Sequence, residues 1–309
     1  MTNWIYHLDG YIELKAEQRS PEWFDGRKFR ITSSVLESLI TETSKFSTMK
    51  ETIEKILGTA PPTVQNEDML RGTIYEPYLR NAYIEMTNYK IYEPGLCIGT
   101  VTYDHPMISD GKLMSTKYSS MFKNPEHPNW YIGASPDGII QTPIESKAME
   151  IKCPRKIPNS LLLNAKKWNE NNKNFKIIPR YYRMCPNEDL YKIFDAEILD
   201  YYGKYCRSGI LDYYEHIYIS HFLQMQQHMH ILQKRECVYL VGTFEETYIE
   251  NVKFDERYYK HVIYPKLVDI IERKIKPDMP LKEREEFNKR VCKIIKNLPV
   301  NFIEKIIPW

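Results

Sequence analysis

The sequence predicts an α/β domain in which a central mixed β-sheet is flanked by helices around one core. Three observations carry this. Segments with helical and with strand periodicity are mixed along the chain in the order helix, strands, helix, strand pair, helix. The strand-like runs gather before Pro154 and after Arg235, with a long helical run leading into the second group. The 309 residues, 42% hydrophobic and 27% charged, are those of a globular chain and are enough for a large single domain or two small ones.

The first helix starts at "SPEWFDGRKFR": Ser20 can cap it, Pro21 suits its first turn, and Glu22 puts negative charge at its positive end. "ITSSVLESLI" restarts with hydroxyl residues in cap position, and "MKETIEKILG" continues helically and stops at Gly58. "PPTVQNEDML" reads as a loop. "RGTIYEPYLRNAYIEMTN" reads as an amphipathic helix with Ile74, Tyr78, Ala82 and Tyr83 toward one side. "KIYEPGLCIGT", "WYIGASPDGII" and "AMEIKCP" read as strands. "YYEHIYISHFLQMQQHMHILQKR" is a long helix, "ECVYLVGTF" and "TYIENVKFD" are a strand pair, and helices follow over "ERYYKHVIYPKLVDIIERKI" and the tail after it. There is no internal repeat.

No apolar run approaches the roughly 20 residues needed to span a bilayer. The start "MTNWIYHLDGYIELK" lacks the basic and apolar stretches of a signal peptide, and the six cysteines form no CxxC pair. An intracellular, reducing compartment is expected, without a zinc site. The net charge of +2 excludes little by itself. From Lys147 to Arg183, however, Lys152, Arg155, Lys156, Lys166, Lys167, Lys173, Lys176 and Arg180 stand among Trp168, Phe175, Tyr181 and Tyr182, against Glu150 and Glu170. Cations mixed with aromatic rings suit a phosphate backbone and stacked bases, or simply a solvated basic surface.

The chemistry concentrates in "YIGASPDGIIQTPIESKAMEIKCPRK", residues 131–156. Side chains alternate along a strand, so Glu150 and Lys152 share one face and Ile151 takes the other. Buried charges are costly unless paired or metal-bound. Taken alone, Asp137, Glu150 and Lys152 fit a cross-strand salt bridge as well as a reaction centre. Glu76, on the helix before the sheet, is a third carboxylate that can be aimed at the strand ends. Glu76, Asp137, Glu150 and the Ile151 carbonyl are the oxygen donors a hard cation such as Mg²⁺ takes. Lys152 could then orient or deprotonate an attacking water.

These residues resemble the PD-(D/E)xK nuclease superfamily, and more narrowly the phage lambda exonuclease or YqaJ viral recombinase family. "SPDG" at Ser135–Gly138 and "EIKCP" at Glu150–Pro154 are similar to its two catalytic strands, and "RGTIYEPYLRNAY" to the helix before them. "QRSPEWFDGRKFRITSS" is similar to its N-terminal signature, and "HFLQMQQHMHI" to the helix whose glutamines face the site. The resemblance spans roughly residues 18–269.

The resemblance implies a restriction-endonuclease-like PD-(D/E)xK core. It implies one or two Mg²⁺ ions, with Mn²⁺ as a substitute, on Asp137 and Glu150, with Glu76 assisting and Lys152 acting on the nucleophile. Arg27, Thr32 and Ser34 match positions that hold a 5′-phosphate, as an Arg fork and hydroxyls near a helix start can. Lys45 stands near a basic position of that pocket, and Gln224 and Gln226 match the glutamines near the metal. His221 stands where the family commonly has Tyr. The chain is expected to be a single nuclease domain over 1–309, with an insertion at about 155–211 and a helical extension at about 276–309, neither of which has a counterpart in the phage enzyme.

The function implied is a Mg²⁺-dependent 5′-to-3′ exonuclease on double-stranded DNA ends, leaving 3′ single strands for viral recombination, repair or genome processing. The alternatives are a DNA or RNA endonuclease of the viral alkaline-nuclease type and a non-catalytic DNA-end-binding protein. A single-strand annealing protein is the partner implied beside DNA. No membrane is involved, and the setting is the cytoplasm or a viral replication site of a host cell. The family's ring-shaped trimer raises a homo-oligomer, but an insertion of this size would block that ring or rebuild its channel, so the oligomeric state stays open.

Overall fold

The structure is a computed structural model, and it describes residues 4–41, 44, 47–61, 65–103, 106–109, 112–115, 119–163, 165, 181–183, 216–243 and 246–299. Lys45, the basic residues Lys166, Lys167, Lys173 and Lys176, and most of the insertion expected at about 155–211 lie outside them.

Two short strands, β1 (Trp4–His7) and β2 (Tyr11–Leu14), form an antiparallel hairpin. Helix α1 (Pro21–Arg27) follows, with Ser20 Oγ accepting from the Trp23 backbone N–H at 3.2 Å, as the cap residues predict. Phe29 then turns through φ 62°, a left-handed conformation rare for a bulky residue. That turn reverses the chain between α1 and the two-residue strand β3 (Ile31–Thr32), so that Arg27 and Thr32 meet. The one-turn 3₁₀ segment Ser33–Val35 leads into α2 (Leu36–Ile40). Helix α3 (Met49–Leu57) opens with a reciprocal Thr48–Glu51 capping box and ends at Gly58, whose φ of 74° makes the left-handed C-cap.

Helix α4 (Glu67–Thr87) begins earlier than its periodicity indicated, inside the run read as a loop. Asn66 Oδ1 accepts from Met69 N–H at 2.8 Å, and Glu67 and Asp68 lie in the first turn. Its packed face also differs in part from the expected one: Tyr83 is buried as expected, but Ile74 and Tyr78 are 48% and 64% exposed, and Leu79 and Arg80 are buried in their place. Glu76, Leu79, Arg80 and Tyr83 follow the i, i+3, i+4, i+7 spacing, so burying that face also carries Glu76 toward the sheet.

The central sheet has six strands. From one edge to the other they are β11 (Tyr181–Arg183), β13 (Thr247–Lys253), β12 (Glu236–Gly242), β10 (Ser146–Lys152), β9 (Gly138–Gln141) and β4 (Lys90–Tyr92). β10 pairs parallel to β12 and antiparallel to β9, so the sheet is mixed. The run expected as one strand after α4 divides at Glu93–Gly95: its second part, β5 (Leu96–Gly99), joins the β1–β2 hairpin as a separate three-stranded sheet. Two further strands, β6 (Pro106–Ser109) and β7 (Lys112–Ser115), form a hairpin before α5 (Ser119–Lys123). β8 (Ile132–Gly133) pairs parallel to β3.

The pleat of the sheet divides the core. On one face Met149 and Ile151 pack with Val238, Leu240 and Ile249 under Leu79 and Tyr83 of α4. On the other, Ala148, Tyr239 and Val241 join Phe222, Leu223, Met225 and Met229 of α6 (Ile219–Leu232) in the larger core. Beyond β13, a helical stretch over 256–278 alternates α turns with π turns at Tyr259–Ile263 and Ile271–Ile275. The last helix, α7 (Leu281–Lys296), lays Phe287, Val291 and Ile294 into the larger core. The four described cysteines are free thiols, and among the described residues no helix is long and apolar enough to cross a membrane.

Candidate active site

The alternation along β10 sends Glu150 and Lys152 to the α6 face, because Met149 and Ile151 fill the α4 face. Glu150 is fully buried, and the Lys152 ammonium stands against its Oε1 as an ion pair. Asp137 lies in the turn before β9 and is locked to β10 twice. Its backbone N–H donates to Met149 O at 3.1 Å, and its Oδ2 accepts from Ile151 N–H at 2.6 Å. The glycine after it is required by space, since a Cβ on Gly138 would lie 2.6 Å from Ile91 Cγ2. The Gln18 amide donates to Pro136 O at 3.2 Å and to Pro94 O at 3.3 Å, which fixes the same turn from the N-terminal side.

Glu76 approaches from the α4 side of the sheet. Its Oε1 accepts from Arg80 at 2.5 Å, and Arg80 also reaches Glu93 at 2.5 Å. The acids are close enough to raise one another. Burial pushes the Glu150 carboxyl up to about 8, with Asp137 and Glu76 adding repulsion against the pull of Lys152. Burial and Asp137 push Glu76 up to about 7, opposed by Arg80. Burial also raises Asp137, against Lys152 and the Ile151 N–H. For Lys152, burial works to lower its proton affinity, but Glu150 and Asp137 outweigh it and hold the group above its ordinary value.

Helix α6 covers the site with residues four apart. Gln224 Oε1 accepts from Lys152 Nζ at 3.1 Å. His228, one turn on, is fully buried, with Nδ1 3.5 Å from Glu150 Oε2 and Nε2 2.6 Å from Ser33 Oγ. Burial, with the Lys152 and Arg27 charges, drives its pKa down to about 3, so the ring is neutral. His221 bonds the Tyr239 hydroxyl at 2.7 Å.

Gln226 does not join them. Residues two apart on a helix face different ways, and Gln226 spends its amide on Lys253 O at 3.0 Å and Asp255 N–H at 2.8 Å. Gln227 is likewise turned to backbone, donating to Gly133 O at 2.7 Å and Ile31 O at 3.2 Å. His228 was legible as the helical i+4 partner of Gln224, a spacing that the pair of glutamines obscured.

A second cluster adjoins the carboxylates. The Arg27 guanidinium donates to Thr32 Oγ1 at 2.8 Å, Ser34 Oγ at 3.3 Å and Ser135 Oγ at 3.3 Å. It lies 4.1 Å over the Trp23 ring, whose Nε1 donates to Ser135 Oγ at 3.1 Å. Burial lowers the Arg27 pKa to about 10. Among the described residues no carboxylate lies within ion-pair distance of Arg27. A half-buried guanidinium that meets only hydroxyls and an aromatic face is arranged for an anion. Ser135 is the member that sequence reasoning left out of this cluster, although "SPDG" contains it. Arg155 of the basic run is instead engaged by α4, reaching Glu67 at 2.8 Å and Asp68 at 3.1 Å.

The donor set suits a hard divalent cation. Apart from the Lys152 and His228 contacts, the two buried oxygens of Glu150 accept no hydrogen bond. A buried carboxylate left so and raised by its neighbours gains from a cation. Among the described residues no three His, Cys, Asp or Glu side chains close into a ready-made cage. The reason is topological: Glu150 points to the α6 face, while Glu76 comes from the α4 face and is held by Arg80. Mg²⁺ needs one or two carboxylates and keeps waters for the rest, so a closed cage is not required.

Three solved structures illustrate what the chain is similar to. It aligns with the alkaline exonuclease LHK-Exo from Laribacter hongkongensis at 18% identity, covering 90% of this chain and 95% of that one, with a TM-score of 0.40. The same enzyme in complex with dAMP aligns at 17% identity over 90% and 97% of the two chains, with a TM-score of 0.41. A SOX–DNA complex aligns at 10% identity over 90% and 71%, with a TM-score of 0.38. A search of curated proteins gives no match. The model of the YqaJ-like viral recombinase domain matches residues 22–185, more than half of the chain and a stretch that contains Arg27, Thr32, Ser34, Glu76, Ser135, Asp137, Glu150 and Lys152. The chain therefore belongs to the YqaJ-like viral recombinase family.

Proposed function

We propose that this protein is a divalent-metal-dependent 5′-to-3′ exonuclease that acts on double-stranded DNA ends and leaves 3′ single strands for recombination, repair or genome processing. Family membership supports a nuclease. The single observation that carries the finer reading is the turn Ser135–Pro136–Asp137. Ser135 belongs to the Arg27 cluster and Asp137 to the acidic cluster, so an anion pocket and a cation site are two residues apart on one fixed turn.

In this reading Asp137 and Glu150 hold Mg²⁺ or Mn²⁺, Glu76 assists from the α4 side, and the Ile151 carbonyl is the remaining protein donor. When bound, the ion supplies Lewis-acid stabilisation of phosphate charge and lowers the pKa of a water. The rest is done by side chains. Arg27, Thr32, Ser34 and Ser135 grip a 5′-terminal phosphate and set which phosphodiester lies at the acids. Lys152, held by Gln224 Oε1 at 3.1 Å, orients the attacking water and donates to the charge that develops on the phosphate. Burial of Glu150 and of the α6 face keeps bulk water from competing for these contacts.

The test is digestion of linear duplexes labelled at either end, with and without a 5′-phosphate, beside a closed circle, in Mg²⁺ and in chelator. Metal-dependent release of nucleotides from 5′-phosphorylated ends, with the circle intact, is expected. Nicking of the circle would move the assignment to an endonuclease. Binding of ends with no cleavage would reduce the protein to an end-binding factor.

A further inference from the structure

We propose that His228 is a positioning residue that holds the Glu150 carboxylate in its metal-binding orientation and anchors it, through Ser33, to the 3₁₀ segment that follows β3. The inference rests on the assignment of Glu150 as a metal ligand.

Three groups stand in line: Ser33 Oγ, 2.6 Å from His228 Nε2, and His228 Nδ1, 3.5 Å from Glu150 Oε2. His228 and Glu150 are both fully buried and Ser33 is nearly so, which leaves water little access to the line. A neutral imidazole carries one N–H. Glu150 is ionised when it holds a cation, and with the imidazole hydrogen on Nε2 the bare Nδ1 lone pair would then face a carboxylate oxygen that can only accept. With it on Nδ1, the ring donates toward Glu150 and Nε2 accepts from the Ser33 hydroxyl, whose hydrogen is free to rotate into place. Only the second arrangement gives each group a partner.

The plain alternative is a core histidine satisfied by Ser33 alone. It leaves Oε2 of a buried carboxylate with no donor, since Lys152 stands at Oε1 and no other group reaches Oε2 among the described residues. Buried carboxylate oxygens are rarely left so. The 3.5 Å separation is long for a hydrogen bond, and neither Nδ1 nor Oε2 makes one as they stand. A movement of a few tenths of an ångström by the carboxylate closes it. Ser33 lies between Thr32 and Ser34, so the junction of β3 with the 3₁₀ segment offers hydroxyls to Arg27 and another to His228.

The test compares wild type with Glu150→Gln, His228→Asn, His228→Gln and His228→Leu. Mn²⁺ binding to the DNA-free, full-length protein is measured by calorimetry, and folding is checked by thermal melts. An Asn amide ends where the imidazole Nδ1 lies and keeps a donor toward Glu150. A Gln amide ends near Nε2 and keeps only the contact with Ser33.

His228→Asn is expected to bind Mn²⁺ nearly as wild type does. His228→Gln and His228→Leu are expected to bind about 10–100-fold more weakly, the range typical of a lost hydrogen-bond partner to a metal ligand. In cleavage, the weaker variants should need more Mg²⁺ for half-maximal rate and regain most of the wild-type rate at saturation. Wild-type Mn²⁺ affinity in both His228→Gln and His228→Leu, with Glu150→Gln weakened, overturns the role of His228 and leaves Glu150 as a ligand. Unchanged affinity in Glu150→Gln overturns the assignment of Glu150 and this inference with it. If His228→Leu does not fold, equal affinities for the Asn and Gln variants overturn the inference.

Discussion

Lys152 feels three carboxyl groups, two of them pushed up to about 7 and about 8 by burial and by Asp137. Among the described residues no carboxylate lies within ion-pair distance of Arg27, and hydroxyls and the Trp23 ring meet the guanidinium. The first region holds more carboxyl groups than Lys152 and Arg80 can neutralise and keeps protons instead, and the second holds a positive charge that no carboxylate pairs with among the described residues. Each is costly alone and the costs have opposite signs. Under the proposed function, a phosphorylated DNA end brought in with a divalent cation would relieve both at once, a reason for the two regions to share one turn.

The largest effect should come from breaking the acidic side. Asp137→Asn or Glu150→Gln is expected to reduce cleavage by about 10²–10³-fold or more while duplex binding, measured by anisotropy, is retained. Near wild-type cleavage by either would mean that these acids form only a structural pair with Lys152. Lys152→Ala should cost about 10²–10⁴-fold in turnover with little change in Mn²⁺ affinity. A loss confined to melting temperature would instead favour a salt bridge kept for stability.

The acids also make a prediction about stability. Glu150 and Glu76 are raised from 4.5 to about 8 and about 7 in the folded protein. The folded state therefore keeps protons that the unfolded state releases. The stability this contributes is full below the unfolded value and is lost as pH rises through the folded values. Without divalent ions the melting temperature should fall by several degrees between about pH 6 and pH 9, at roughly 2–4 °C per kcal/mol. Mn²⁺ should restore it most at the alkaline end, and Glu150→Gln should flatten the slope. A melting temperature that rises over the same window in chelator would contradict the assignment.

The smallest catalytic effect should come from the buried glutamine that turns away. Gln226→Leu removes the bonds to Lys253 O and from Asp255 N–H and should cost about 1–3 kcal/mol of stability. Turnover of the folded fraction should be unchanged at permissive temperature. A specific loss of turnover would put Gln226 in the site after all.

Much of this was legible in the sequence. The period of β10 put Glu150 and Lys152 on one face, because alternation is a property of the backbone and needs no tertiary knowledge. Ser20, Pro21 and Glu22 marked the start of α1, and Gly58 marked the end of α3, for equally local reasons. The core strands were legible as runs, though not the division at Glu93–Gly95 that sends β5 to another sheet, nor that of "WYIGASPDGII" into a 3₁₀ turn, β8 beside β3, and β9 in the central sheet. What failed depended on which helical face tertiary packing selects. Ile74 and Tyr78 of α4 were grouped with Tyr83 on one side, but only Tyr83 packs on the sheet, with Leu79, and that choice also brings Glu76 to the sheet. Gln226 was grouped with Gln224 by the family resemblance, whereas helical geometry pairs Gln224 with His228. Ser135 was quoted within its motif but not assigned, because nothing local says that a serine in a turn will meet an arginine from α1.

The most direct test asks whether the two regions act as one site. Initial rates are measured on the same duplex with a 5′-phosphate and with a 5′-hydroxyl, for wild type and for Arg27→Ala. Hydrogen bonds to a charged group contribute roughly 1.5–3 kcal/mol each, so wild type should cut the phosphorylated end at least about tenfold faster. Arg27→Ala should slow the phosphorylated substrate to the rate of the hydroxyl substrate and leave the latter nearly unchanged. Equal wild-type rates on both ends, or a mutant that loses both in proportion, would contradict the pairing of an anion pocket with a cation site.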